Sequence, residues 1–123
     1  MAVCIRHVTS HLEQELYYPL LETAGHLIED VRILLSDGEM FVLEEHGRAV
    51  SAVIVTTEAD SSCDLRILAT VDSSKRCAYE RTLATFIVAR YSHACTVMTM
   101  RSSGLPPHTR QLLESLGFRP EQE

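Results

Sequence analysis

Three features of this sequence predict an α/β domain of the α+β kind: a globular composition, runs that alternate in polarity, and separate stretches whose apolar residues recur every three to four positions. The chain has 123 residues, 46% hydrophobic and 23% charged, enough to bury one core without metals or disulfides. Read along the chain, the element order is β-α-α-β-β-β-α-β-α, within a single domain over residues 1–123.

Ala2 to Val8 alternates as a strand, and Thr9 and Ser10 then offer helix N-cap chemistry. Leu12, Leu16, Leu20 and Ala24 recur at four-residue spacing with Leu21 beside them, which predicts a helix with one apolar stripe reaching about Ala24. Pro19 predicts a kink or break within it. Gly25 and His26 restart the pattern. Leu27, Ile28, Val31, Leu34 and Leu35 then form a second amphipathic helix that stops at Ser36-Asp37-Gly38.

Two β-branched runs follow, Met40 to Glu45 and Ala49 to Thr57, joined by His46-Gly47-Arg48. They predict a hairpin whose glycine takes positive φ. After the loop from Glu58 to Ser62, Cys63 to Val71 reads as a strand with Leu65, Ile67 and Ala69 on one face and Leu68 on the other. From Lys75 to Tyr91 the period becomes 3.6, with Tyr79, Leu83, Phe86, Ile87 and Arg90 on one stripe. Ala94 to Met100 is a further strand and Arg101 to Leu105 a loop. Pro106 and Pro107 suit the first turn of a helix that carries Leu112, Leu113 and Leu116 and ends at Gly117. Phe41, Val53, Leu65, Ile67, Leu83, Phe86, Val97, Leu112 and Phe118 are expected to share one core.

The net charge of -6 and pI near 5.5 argue against nucleic acid as a partner, which requires a basic surface. No apolar stretch approaches the roughly 20 residues of a membrane span, and no signal peptide is visible at the N-terminus, so a cytoplasmic protein is expected. The four cysteines, Cys4, Cys63, Cys77 and Cys95, show no zinc-site spacing and are expected to be reduced. His7 and His11 have helical metal spacing but straddle a strand end, so no metal site is expected. Met98 and Met100 read as core. Ser73-Ser74-Lys75 reads as loop chemistry, without the order of a hydrolase triad.

This element order, ending in Leu116-Gly117-Phe118, resembles that of the GCN5-related N-acetyltransferases (GNAT) over essentially the whole chain. The hairpin Phe41-Val42-Leu43-Glu44-Glu45-His46-Gly47-Arg48-Ala49-Val50, the strand end Leu68-Ala69-Thr70-Val71 and the phrase Leu112-Leu113-Glu114-Ser115-Leu116-Gly117-Phe118 are similar to that family. The resemblance implies a mixed central sheet of about six strands flanked by about four helices, with acetyl-CoA or CoA as cofactor. It also implies that Leu68, Ala69, Thr70 and Val71 offer backbone hydrogen bonds to the pantetheine arm.

In the family, a Gln/Arg-x-x-Gly-x-Gly/Ala loop aims backbone N–H groups and a helix N-terminus at the pyrophosphate. The matching stretch here is Lys75-Arg76-Cys77-Ala78-Tyr79-Glu80-Arg81. Lys75 takes the first position, and Ala78 and Glu80 replace the glycines. A register one residue later puts Tyr79 and Arg81 at the glycine sites. Lys75, Arg76 and Arg81 supply cations, whereas Glu80 would crowd an anion. Of Cys77 and Cys95, Cys77, beside Lys75 and Arg76 at a helix start, is the better candidate for a reactive thiol, but a buried structural role is the preferred reading. At the catalytic end, Leu113 and Pro106 stand where the family commonly has its Tyr acid and an Asn. Asp64, or Glu58 before it, is the candidate base for a substrate ammonium.

The resemblance thus implies an acyl-CoA-dependent N-acetyltransferase acting on a small-molecule amine. The alternative is a non-catalytic GNAT-fold protein, CoA-sensing or antizyme-like, that acts through a protein partner. A short C-terminal strand after Phe118 would leave a sheet edge open to a second copy, which favours a homodimer.

Overall fold

The computed structural model describes residues 3–57, 61–101 and 105–120. Among them, six strands form one sheet in chain order: β1 (Val3–Val8), β2 (Gly38–Glu45), β3 (Arg48–Thr57), β4 (Ser62–Thr70), β5 (Val97–Met100) and β6 (Arg119–Pro120). The first four pair antiparallel in succession. β5 lies parallel to both β4 and β6, so the sheet is mixed, as expected. The β2–β3 turn needs only two residues. His46 and Gly47 both have positive φ, 52° and 78°, the geometry whose twist suits a tight hairpin. Arg48, which the sequence placed in the turn, opens β3 opposite Glu45.

The helices are α1 (His11–Glu15), α2 (Tyr18–Thr23), α3 (Ile28–Asp37), α4 (Arg76–Tyr91) and α5 (Pro107–Ser115). The first predicted helix is therefore two. It breaks ahead of Pro19, which sits in the first turn of α2, where its missing N–H costs nothing. Its predicted stripe is also corrected: Leu12 and Leu16 are 78% and 72% exposed, while Gln14, Tyr17 and Leu21 are buried. Polar anchoring accompanies this rotation. Gln14 Nε2 donates to Val8 O at 3.1 Å, and Arg6 Nη1 donates to the Tyr17 hydroxyl at 3.3 Å.

Helices cover both faces of the sheet, so the core is two clusters rather than the expected one. Tyr79, Leu83, Ala84 and Ile87 of α4, with Leu113 and Phe118, pack on Phe41, Val53, Val55, Leu65 and Leu68. On the other face Tyr17, Leu21, Val31 and Leu35 pack on Met40, Val42, Ala52, Ile54, Ile67 and Ala69. Leu65 and Ile67 fall on opposite faces because β4 carries a bulge: Ile54 faces Ile67 but Val55 faces Leu65, leaving Arg66 as the extra residue. Three other predicted core members lie further out. Val97 is 40% exposed, and Phe86 and Leu112 are half-buried, with Leu113 taking the inward position on α5. Gly38 joins α3 to β2 at a point where a Cβ would lie 2.7 Å from Leu34 O and 2.9 Å from Val55 O. Among the described residues no helix is long and apolar enough to cross a membrane.

Candidate functional site

β4 and β5 begin side by side and then part. Their register runs from Ser62↔Val97 to Leu65↔Met100, and the Arg101 N–H donates to Leu65 O at 3.1 Å. The next residue of β4 is the bulged Arg66. Beyond it, among the described residues, β4 has no partner on the β5 side, and a cleft opens there. The cleft holds a cavity of about 280 Å³ lined by Ala24 to His26, Leu65 to Leu68, Arg76, Arg101, Leu105 and Pro106. A more open cavity of about 520 Å³ shares His26, Arg66, Ile67 and Arg101 with it and adds Asp30, Ile33 and Leu34. Burial pushes the His26 imidazole below its ordinary value, opposed by the Asp30 charge.

The α4 start borders this cleft through Arg76. Lys75, Cys77, Ala78 and Arg81 are exposed and Arg76 is half-buried. Among the described residues, the N–H groups of Cys77 and Ala78 have no backbone acceptor, whereas those of Arg76 and Tyr79 bond to Ser73 O and Lys75 O. Exposed first-turn donors flanked by Lys75, Arg76 and Arg81 fit an anionic group chemically. Lys75 Nζ also reaches Glu45 at 3.4 Å.

Tyr79 and Glu80, both expected at the cofactor, turn inward instead. The Tyr79 hydroxyl donates to Glu45 Oε1 at 2.7 Å. Glu80 is 1% exposed; its oxygens accept from Thr109 of α5 at 2.9 Å and from Arg76 Nε at 3.3 Å. The helical period explains this, since Glu80 shares a face with Leu83, Ala84 and Ile87. Of the strand residues expected at the pantetheine arm, Leu68 and Ala69 have buried side chains, and the Val71 N–H is already used by Val50 O at 2.9 Å.

Asp64 is 7% exposed and occupied: it accepts from Arg66 Nη1 at 2.9 Å and from Thr99 at 3.0 Å, with Arg101 Nε at 3.8 Å. A carboxylate so placed holds two guanidiniums in position and is not an open base. Glu58 lies outside the described residues. Leu113 is fully buried in the core, and Pro106 lines the cleft. His7 stacks on Phe41 and pairs with Glu39 at 3.0 Å; among the described residues no group of three His, Cys, Asp or Glu is placed to hold a metal.

Sequence reasoning missed Arg66, Arg101, His26 and Thr109. Only Arg66 left a signal, as a charge interrupting an apolar strand.

No protein-family model matches the sequence, and no curated protein aligns with it significantly. Solved structures do match. A GNAT-family acetyltransferase from Elizabethkingia anophelis, with acetyl-CoA bound, superposes with a TM-score of 0.78 at 14% identity, over 98% of this chain and 78% of its own. The ribosomal-protein-S18-alanine N-acetyltransferase of Escherichia coli gives 0.76 at 17% identity, over 94% and 76%. An acetyltransferase from Bacillus subtilis in complex with CoA gives 0.75 at 13%, over 94% and 74%. The chain therefore has the GNAT fold.

Proposed function

We propose that this GNAT-fold chain binds acetyl-CoA or CoA in the cleft between β4 and β5 and passes the acetyl group to an amine. The observation that carries this reading is the parting of the strands after Leu65 and Met100 beside the exposed first turn of α4. When bound, the cofactor would supply an acetyl thioester. Lys75, Arg76 and Arg81 would hold its phosphates with the free N–H groups of Cys77 and Ala78. With Glu80 turned into the protein, Ala78 is the one glycine replacement left exposed in the family register, and it carries only a methyl group.

A second reading is favoured by Leu113, which is fully buried where the family commonly carries its acid. On that reading the cleft binds CoA or a related anion, and the protein works through a protein partner without transfer. A general acid contributes roughly 10²–10⁴-fold, so its loss slows transfer without forbidding it.

Thermal shift with CoA and acetyl-CoA tests both readings. A ligand at 100 times its dissociation constant should stabilise the fold by about 2.7 kcal/mol. No shift at millimolar CoA would overturn cofactor binding. A shift without thioester consumption across a panel of amines would favour the second reading.

A further inference from the structure

The cleft is cationic in an acidic protein. Arg66, Arg76 and Arg101 all line the inner cavity together with His26, and among the described residues no carboxylate lines it, although the chain carries a net charge of -6. The two carboxylates nearby stand behind the guanidiniums. Asp64 holds Arg66 and Arg101, and Glu80 holds Arg76, and both acids are at least nine-tenths buried. Asp64 is itself fixed by Thr99, so the forks of Arg66 and Arg101 are set by a rigid strand pair. Arg66 is not saturated: only Nη1 is bonded among the described residues, and its Nε is buried without a partner. A half-buried, partly unsatisfied guanidinium facing a cavity is disposed to take a planar or tetrahedral oxyanion.

We propose that this cleft is an oxyanion-binding site, and that the acceptor is an amine carrying a carboxylate or phosphate that Arg66 and Arg101 engage. The assignment to the acceptor rests on the transferase reading given above. Of the α4 start only Arg76 reaches the inner cavity, and Lys75, Cys77, Ala78 and Arg81 lie outside both linings, whereas the larger cavity runs from Arg66 and Arg101 toward Ile33 and Leu34. Its wall combines the two guanidiniums with apolar surface and with Asp30, a carboxylate available to an ammonium. The lining thus matches a zwitterion: oxyanion toward the arginines, amine toward Asp30. A polyamine would place cations against cations.

Calorimetric titration of glutamate, O-phosphoserine and putrescine into the wild type, Arg66→Gln and Arg101→Gln, without CoA, tests the site. Glutamate or O-phosphoserine should bind, the tighter of the two showing whether carboxylate or phosphate is preferred, and each substitution should weaken it about tenfold. Arg101 is half-exposed, so its variant should keep the wild-type melting temperature if removing Arg66 perturbs folding. Failure of both anions to bind at millimolar concentration, equal binding to the folded variants, or putrescine binding as tightly would overturn the proposal. A parallel CoA titration separates the two ideas. Anion binding without CoA binding defeats the transferase reading and leaves an oxyanion receptor, whereas CoA binding without anion binding defeats this inference alone.

Discussion

The Thr109 hydroxyl on α5 donates to Glu80 Oε1 on α4 at 2.9 Å, and both residues are 1% exposed. Glu80 therefore ties two helices together at the position where the family's loop carries a small residue. The sequence-based expectation that Glu80 crowds an anion is thereby corrected, and Glu80→Gly removes a buried tie, opens a cavity and adds glycine to a helix. It should destabilise the fold by about 3 kcal/mol. Thr109→Val leaves one oxygen of a buried carboxylate without its donor and should cost about 1–3 kcal/mol. Urea unfolding midpoints check both, and an unchanged midpoint for Thr109→Val would show that the bond does not form in solution.

Leu113→Tyr, which the family pattern offers as a restored acid, places a larger polar ring where the side chain is fully buried. Overpacking of this kind costs about 1–3 kcal/mol. A lower melting temperature with no gain in acetyl-transfer rate is the expected result. A faster folded variant would mean that this position faces the cleft.

Glu45 is held below the ordinary carboxylate range, first by the hydrogen bond from Tyr79 and also by Lys75, against partial desolvation. A depressed folded value means that this contribution to stability is present above the unfolded value and lost as pH falls through the folded one. Tyr79→Phe should move the Glu45 carboxyl titration upward, as read by NMR, and should flatten the acid limb of the stability profile. An unmoved titration would place the Tyr79 hydroxyl elsewhere.

The four thiols divide by burial. Desolvation first, then the neighbouring Cys95, pushes Cys63 up to about 12, and both of these residues are buried, whereas Cys4 and Cys77 are exposed. Timed iodoacetamide labelling at neutral pH, read by mass spectrometry, should mark Cys4 and Cys77 in the native protein and the other two only on unfolding. Native-state labelling of Cys63 at a comparable rate would contradict the packing at the start of β4.

Periodicity carries the element order well, because alternation and the 3.6 period are local properties of Val53 to Thr57 or of Leu83 and Ile87. It fails where a distant partner decides orientation. Leu12 and Leu16 form the better apolar stripe on paper, yet Gln14 is drawn in by the carbonyl of Val8 and Tyr17 by contacts with Arg6 and the core. Glu80 is misread for the same reason, since nothing near it in the sequence announces Thr109, 29 residues away. In the candidate site, the loop cations are legible as charges in one turn. Arg66 and Arg101 become neighbours only through the β4–β5 pairing, and Asp64 looks like an open base until that pairing brings Thr99 and Arg101 to it, beside Arg66 of its own strand.

The Arg66 bulge and the parting of β4 from β5 give strand β4 two different time signatures. Before the bulge its amides are enclosed between β3 and β5. From Ile67 to Thr70 it pairs only with β3 among the described residues, so every second amide faces the cleft. In deuterated water the first half should retain its protons as a continuous block, while the second should show slow and fast positions in alternation. A ligand lying along that edge would lengthen the lifetimes of the fast positions selectively. Exchange measured residue by residue would then report occupancy of the cleft without any assumption about its chemistry.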